Sequence, residues 1–377
     1  MLVTVGVVAC GESFTQQPHF RISTCKAGKG AGSVEVGDFN GDKFPDIVVA
    51  NTNDSTLTVL LGDGKGGFAE APGSPVFANR YPNDIAIADF NKDGIEDFAI
   101  ANTDTSLLTI LLGDGHGGFR QSSGSPVKVN SRPHTHGLAA GDINGDGYAD
   151  LVTDCWADDK VLAVFGDGRG SFGGERSYKV GKRPYQRVRV ADVNNDGRPD
   201  IVTTNLEGNN VSVLLGNGSG EMRDSEGSPF PSGDAPFGVA IGDVNGDGFP
   251  DLAIVNAPTI TAASKGRDGL FILLGDGTGK FSPMKGCPFR TGKSPSRVAI
   301  GDIDGNGVND IAVSNYNDRT ISLFYMFATG LLRTETIGVG KRPDGIAIHD
   351  LNGDGKNDVV VGNFDDNTVM ILLNEAK

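Results

Sequence analysis

The sequence predicts an all-β protein: a seven-bladed β-propeller of four-stranded blades, its ring closed by the N-terminal strand completing the last blade. Three observations predict it. An acidic nine-residue motif returns seven times at a nearly constant spacing. Each unit holds four short β-type runs and no helical period. The last unit lacks a strand that the beginning of the chain can supply.

The motif copies are DFNGDKFPD from Asp38, DFNKDGIED from Asp89, DINGDGYAD from Asp142, DVNNDGRPD from Asp192, DVNGDGFPD from Asp243, DIDGNGVND from Asp302 and DLNGDGKND from Asp350. They are spaced 51, 53, 50, 51, 59 and 48 residues apart. A period near 50 points to a ring of repeated sheets.

Each unit has the same order. An alternating run such as GVAIGD leads into the acidic motif, and an apolar run such as DIVVAN or DLAIVN follows it. A polar turn and a third run such as STLTVLL come next, then a Gly-rich reversal such as LLGDGKGGF. A weaker fourth run ends in a Pro-containing turn. Continuous short apolar runs bounded by turn signals read as buried strands. The last unit stops after its third run at Ile371-Leu372-Leu373, and the segment His19 to Gly30 looks like a fourth strand without a unit of its own. Joining the two protects the sheet edge. The organisation is then a signal or lipobox-like remnant or flexible tail over 1–17 and one propeller over 18–377. Its blades fall at about 33–79, 84–130, 136–181, 186–233, 237–292, 296–339, and 344–377 with 18–29.

The seven DxNxDGxxD loops, each running into an apolar strand and then a GDGxGxF turn, resemble the FG-GAP/VCBS repeat. That repeat builds the seven-bladed propeller of integrin α-subunits and of many bacterial exported proteins. The resemblance covers the chain from about His19 to Leu373. It implies the fold. For function it implies only a range, since the family includes adhesion modules, lectins and propellers attached to enzymes.

Positions 1, 3, 5 and 9 of each loop carry Asp or Asn, and in such loops position 7 contributes a backbone carbonyl. Hard oxygens at alternate positions of a tight turn suit Ca²⁺. The candidate metal residues are Asp38, Asn40, Asp42 and Asp46; Asp89, Asn91, Asp93 and Asp97; Asp142, Asn144, Asp146 and Asp150; and Asp192, Asn194, Asp196 and Asp200. They continue with Asp243, Asn245, Asp247 and Asp251; Asp302, Asp304, Asn306 and Asp310; and Asp350, Asn352, Asp354 and Asp358. An EF-hand would need Glu at position 12, where Thr153 and Ile100 stand in the third and second loops. Without an ion, Asx-rich turns would form anyway. But the loops gather 21 carboxylates in a chain of net charge −15, and up to seven divalent ions would carry +14. The Asp38 loop is expected to be weakest, because Lys43 replaces the Gly that allows a left-handed turn.

The calcium loops join first and second strands, so the other connections lie on the opposite face, near the central channel. There the units differ most. The candidate ligand-binding residues are Asn83, Asp84, His134, His136, Trp156, Tyr185, Arg187, Arg297, Tyr316, Asp344 and Phe364. The fifth unit carries an insertion on this face, from Pro258 to Asp268. Two His do not make a zinc site, and no catalytic triad can be assigned from spacing. The weak catalytic candidates are His134, His136, Tyr185 and Arg187, with Arg189 beside them. Trp156, Tyr316 and Phe364 could stack on sugar rings or plug one blade against the next. Because these positions differ from unit to unit, a single asymmetric site is expected rather than a multivalent lectin.

A pI near 4.7 makes nucleic acid and anionic membranes poor partners. None of Cys10, Cys25, Cys155 and Cys287 falls in a C-x-x-C pair. The run Leu2 to Ala9 ends in VVAC, like a bacterial lipobox with Cys10 as a lipid anchor, though without a basic n-region. The expectation is an exported, monomeric, calcium-stabilised propeller, periplasmic, cell-surface or secreted, acting as a binding or adhesion module for carbohydrate or protein. The alternatives are a polysaccharide lyase or hydrolase with one site near the channel, and a structural envelope component.

Overall fold

The computed structural model describes residues 18–131, 135–259 and 266–375. It is all β, and the strands form seven antiparallel sheets. Blade 1 sets the pattern with Ala31–Gly37, Asp46–Asn51, Thr56–Gly62 and Phe68–Glu70, paired in that order. The first strands of the blades are neighbours around the ring, and Ala31–Gly37 meets Pro343–His349 of blade 7 to close it.

The second strands explain why the chain folds this way. All six residues of each are buried, from Asp46–Asn51 in blade 1 to Asp358–Asn363 in blade 7. A strand covered on both faces needs apolar side chains on both, hence runs such as DIVVAN without alternation. The core is divided accordingly. One apolar cluster fills each gap between adjacent blades, for example Phe39, Val48, Leu57, Phe98 and Ile100 between blades 1 and 2. The closing gap is filled in the same way by Val34, Ile47 and Val49 of blade 1 against Leu351, Val360 and Ile371 of blade 7.

Blade 7 is completed by the N-terminal segment. Phe20–Lys26 pairs antiparallel with Thr368–Asn374, in a register running from Phe20 opposite Asn374 to Lys26 opposite Thr368. The expected closure is therefore the observed one. A detail absent from the sequence reading is a short extra strand in three blades. Val76–Phe77, Val127–Lys128 and Phe230–Pro231 pair with the third strand of blades 1, 2 and 4. There the fourth strand is only three residues long against seven in the third, so part of the third strand's edge is left for this piece. Residues 1–17, with Cys10, and His134 lie outside the described residues.

Candidate metal loops and the opposite face

In every loop the position-9 aspartate staples its own blade. Asp46 accepts the Phe39 amide on Oδ2 at 2.9 Å and the Gly62 amide on Oδ1 at 2.8 Å. It thereby ties the start of the loop to the end of the third strand. The same two bonds recur at Asp97, Asp150, Asp200, Asp251, Asp310 and Asp358. All seven carboxylates are fully buried. Burial, only partly offset by these amides, pushes their carboxyls up to about 6, and that of Asp310 to about 7. Aspartates at position 1 or 5 of the same loop add to the rise in most of them.

Position 1 organises the turn. Asp38 accepts the Gly41 and Lys43 amides, and Asp142, Asp243, Asp302 and Asp350 accept the equivalent pair. The Asn at position 3 accepts the position-5 amide and, in the first five loops, donates to the position-5 carboxylate. The sixth loop has Asp at position 3 instead. There Asp302, Asp304 and Asp310 bring carboxylate oxygens within 4.8 Å of one another, the only such acidic triple among the described residues. Lys43 takes a φ of 70°, the left-handed conformation expected to cost it energy.

Adjacent loops are also linked. Asn309 donates to the Asp243 carbonyl of the preceding loop and Asn357 to that of Asp302, each at 2.9 Å. Glu96 accepts the Asp38 amide at 3.0 Å. These three residues share position 8.

Within the channel, side chains from several blades converge on Asp84, which has no exposed surface. Arg187 Nη1 of blade 4 pairs with Asp84 Oδ1, Arg297 Nη1 of blade 6 lies 3.8 Å from the same oxygen, and Arg189 Nη1 lies 4.0 Å from Oδ2. The Leu138 amide donates to Oδ2 at 3.0 Å. Arg297 also reaches Asp344 through Nε at 3.4 Å and donates to the Asn83 carbonyl at 3.3 Å. Glu35 completes the group. Burial pushes its carboxyl up to about 7, with Arg189 pulling the other way. Five of the sequence candidates, Asn83, Asp84, Arg187, Arg297 and Asp344, are therefore brought together as a charged plug. Arg187 and Arg297 are 4% and 3% exposed.

His136 is also enclosed, at 4% exposure. Its amide and that of Gly137 donate to Asp154 Oδ1, its Nδ1 lies 3.9 Å from Asp154 Oδ2, and its ring is 4.4 Å from that of Tyr185. Burial pushes the Asp154 carboxyl up to about 7. Of the other candidates, Trp156, Tyr185, Tyr316 and Phe364 are partly exposed. Arg183 stacks over Trp156 at 4.2 Å, and Tyr185 contacts Trp156 and Phe237 at 6.5 and 5.7 Å. Lys182 and Arg183 grip Glu207 at 2.9 and 2.5 Å, which holds its carboxyl below the ordinary range. Trp156, Asp159, Lys182, Arg183 and Glu207 line an open cavity of about 280 Å³. Blades 6 and 7 repeat the arrangement in part. Arg342 lies over Tyr316 at 5.3 Å and 3.5 Å from Asp365, and Tyr316 contacts Phe364 at 6.3 Å.

The FG-GAP-like repeat family matches the chain over residues 38–100, 89–153 and 192–254. This protein is a propeller of FG-GAP-like repeats. No curated protein sequence matches it. Among solved structures, the FG-GAP propeller is similar to an Agrocybe aegerita lectin described as recognising non-reducing terminal N-acetylglucosamine, with 18% identity and TM-score 0.57 over 92% of this chain and 86% of that one. It is similar to BBS1N in complex with ARL6DN, with 13% identity and TM-score 0.61 over 93% and 96%. It is also similar to a catalytically inactive virginiamycin B lyase from Staphylococcus aureus with quinupristin, with 13% identity and TM-score 0.59 over 94% and 99%. At these identities the likeness is one of fold. No helix among the described residues is long and apolar enough to cross a membrane.

Two residues of the FG-GAP propeller's channel escaped the sequence reading. Glu35 stands three residues before its loop, where Ala86, Ala139, Ala240, Ala299 and Ala347 stand in five other units; only Arg189 departs likewise. A charge in a register of alanines was the available signal. Asp154 similarly replaces the small or apolar residues Ala50, Ala101, Thr204, Val255, Ser314 and Gly362.

Proposed function

We propose that this FG-GAP propeller is an exported, calcium-stabilised binding module that engages carbohydrate or protein through the face opposite the aspartate loops. One observation carries the placement of the site. On that face Trp156 and the Lys182–Arg183–Glu207 cluster line an open cavity, whereas the channel itself is plugged. An aromatic plate beside paired charges offers both an apolar surface and fixed hydrogen-bonding groups, the combination ligand sites use.

Calcium fits the loops on donor chemistry. Their side-chain oxygens are hard, they converge at Asp302, Asp304 and Asp310, and the buried position-9 carboxylates carry a charge that their surroundings disfavour. Positions 1, 3, 5 and 9 would hold the ion, which would supply a fixed positive charge to a turn already stapled to its blade. The alternative of a lyase or hydrolase at the channel is less well supported, because His136 has little surface to meet a polysaccharide.

The test is a polysaccharide and protein array probed with the full chain, with and without EDTA, followed by the same array with Trp156→Ala. Binding that is lost in this variant while its thermal melt is unchanged supports the reading. Binding that survives Trp156→Ala places the site elsewhere and overturns it.

A further inference from the structure

The blades of this ring interlock through their Gly-rich turns. The turn between third and fourth strands of one blade drops onto the third strand of the preceding blade. Gly170 of blade 3 donates its amide to the Phe90 carbonyl at 2.9 Å, and its own carbonyl accepts the Ser122 hydroxyl at 2.6 Å. Gly117 donates to Phe39 and Gly220 to Ile143 in the same way, at 3.0 and 3.1 Å. The Ser225 hydroxyl donates to the Gly279 carbonyl at 2.5 Å. These turn residues must be glycine. At Gly279 φ is +87°, and an added Cβ would stand 3.0 Å from the Leu215 side chain. Five interfaces are closed by such a contact, the fifth being Gly66 on Leu373.

Between blades 5 and 6 the contact is missing. The third and fourth strands of blade 6, Thr320–Phe327 and Gly330–Gly338, are joined through only Ala328 and Thr329, in place of the GDGxG turn. Leu274 and Met284 occupy the register of Leu215 and Ser225, and only the short Ala328–Thr329 turn stands near them in place of a glycine turn. What remains is a cavity of about 420 Å³, lined by Leu274, Met284, Phe289 and Leu331 with Asn245 and Lys285 at its polar side.

We infer that this socket is a docking site for a Gly-x-Gly turn presented by a different polypeptide. The repeat itself specifies the occupant: at five other interfaces the equivalent place holds a Gly-x-Gly turn, against Leu61, Leu112, Phe165, Leu215 and Leu373. A second copy of this chain is a poor donor, because its five such turns are already packed against their own preceding blades. Met284 replaces the serine hydroxyl with apolar surface, so a docking turn is held by burial rather than by a Ser hydroxyl. Lys285 stands at the rim as a partner for the acidic residue of an Asp-Gly-x-Gly sequence.

The probe is a fluorescein-labelled, head-to-tail cyclised peptide carrying the chain's own turn sequence, LLGDGTGKF, titrated with the full chain by fluorescence anisotropy. The expected result is saturable binding, at least tenfold weaker in Leu331→Arg. It is absent from a second variant in which Ala328 and Thr329 are replaced by a Gly-Asp-Gly-Thr-Gly turn that fills the socket from within. Thermal melts of both variants check that the ring is intact. No saturable binding at millimolar protein, equal binding by both variants, or binding that appears only when residues 1–17 are removed would each overturn the proposal.

Discussion

Arg297 reaches Asp84 across the full width of the channel, its Nη1 3.8 Å from Asp84 Oδ1. Blades 7 and 1 lie between their blades on one side of the ring and blades 3, 4 and 5 on the other. A buried carboxylate shared by guanidinium groups from blades 4 and 6 binds together parts of the ring that no strand pairing connects. Removing the shared acid leaves Arg187, Arg189 and Arg297 facing one another without it.

Asp84→Ala should therefore cost roughly 3–5 kcal/mol, the range for breaking a buried ion pair from one side. Arg297→Ala should cost less, because Asp84 retains Arg187. Urea unfolding of both variants measures this. Equal losses below about 1 kcal/mol in both would mean that the plug contributes nothing to the ring.

The same cluster makes stability depend on pH. Folding raises the Glu35 carboxyl from 4.5 to about 7, chiefly by burial. The folded state thus holds this proton more tightly than the unfolded chain. The stabilisation is complete below pH 4.5 and is lost as pH rises toward 7. Glu35→Gln should flatten this part of the profile, so that the difference between wild type and variant shrinks or reverses from pH 4.5 to pH 8. Parallel profiles over that window would contradict the assignment.

Calcium should raise the melting temperature. For sites of the extracellular class, with dissociation constants of roughly 0.1–1 mM, tenfold saturating calcium adds about 1.4 kcal/mol per site. Identical melts in 10 mM calcium and in EDTA would remove the metal from the account of these loops.

Lys43→Gly should strengthen the first loop. The substitution relieves a φ of 70°, worth ~1 kcal/mol in a non-glycine residue, and removes a cation beside the loop. Calorimetric titration should find one site with increased affinity and the others unchanged. An unchanged isotherm would mean that Lys43 is not what distinguishes this loop.

Deleting residues 1–26 should leave the edge of Thr368–Asn374 unpaired. Loss of a cooperative melt, or concentration-dependent association through that edge, is expected. A truncated chain that melts like the intact one would show the closing strand to be dispensable.

The fold was legible because it is written seven times. Any one copy of GDINGDGYADLV is compatible with several structures, but a 50-residue period and the unfinished last unit leave little choice beyond a closed ring. The candidate site was read less completely. Asn83, Asp84, Arg187, Arg297 and Asp344 were found by looking where the units differ, but difference alone does not reveal whether a side chain points to solvent or across a channel. That depends on which blades face one another in a closed ring, which is a property of the whole circle. Glu35 was missed because it lies deeper in its strand, fifth of the seven residues Ala31–Gly37, whereas the other five stand nearer the starts of theirs. The vacant socket went unread for the opposite reason: the sequence marks only the loss of a GDGxG turn in unit 6, and the consequence appears on the neighbouring blade.

Phe20 and Asn374 are partners in one strand pair, yet the other six blades lie between them along the chain. On the ribosome, Phe20–Lys26 must wait without a sheet until Thr368–Asn374 emerges, while six blades assemble between them. Their pairing is the last step in closing the ring, and its entropic cost of closure spans all seven blades. Completion of the ring thus reports that blade 7 has been made: a chain interrupted before blade 7 cannot seal it, and displays an unpaired strand to whatever surveys nascent proteins.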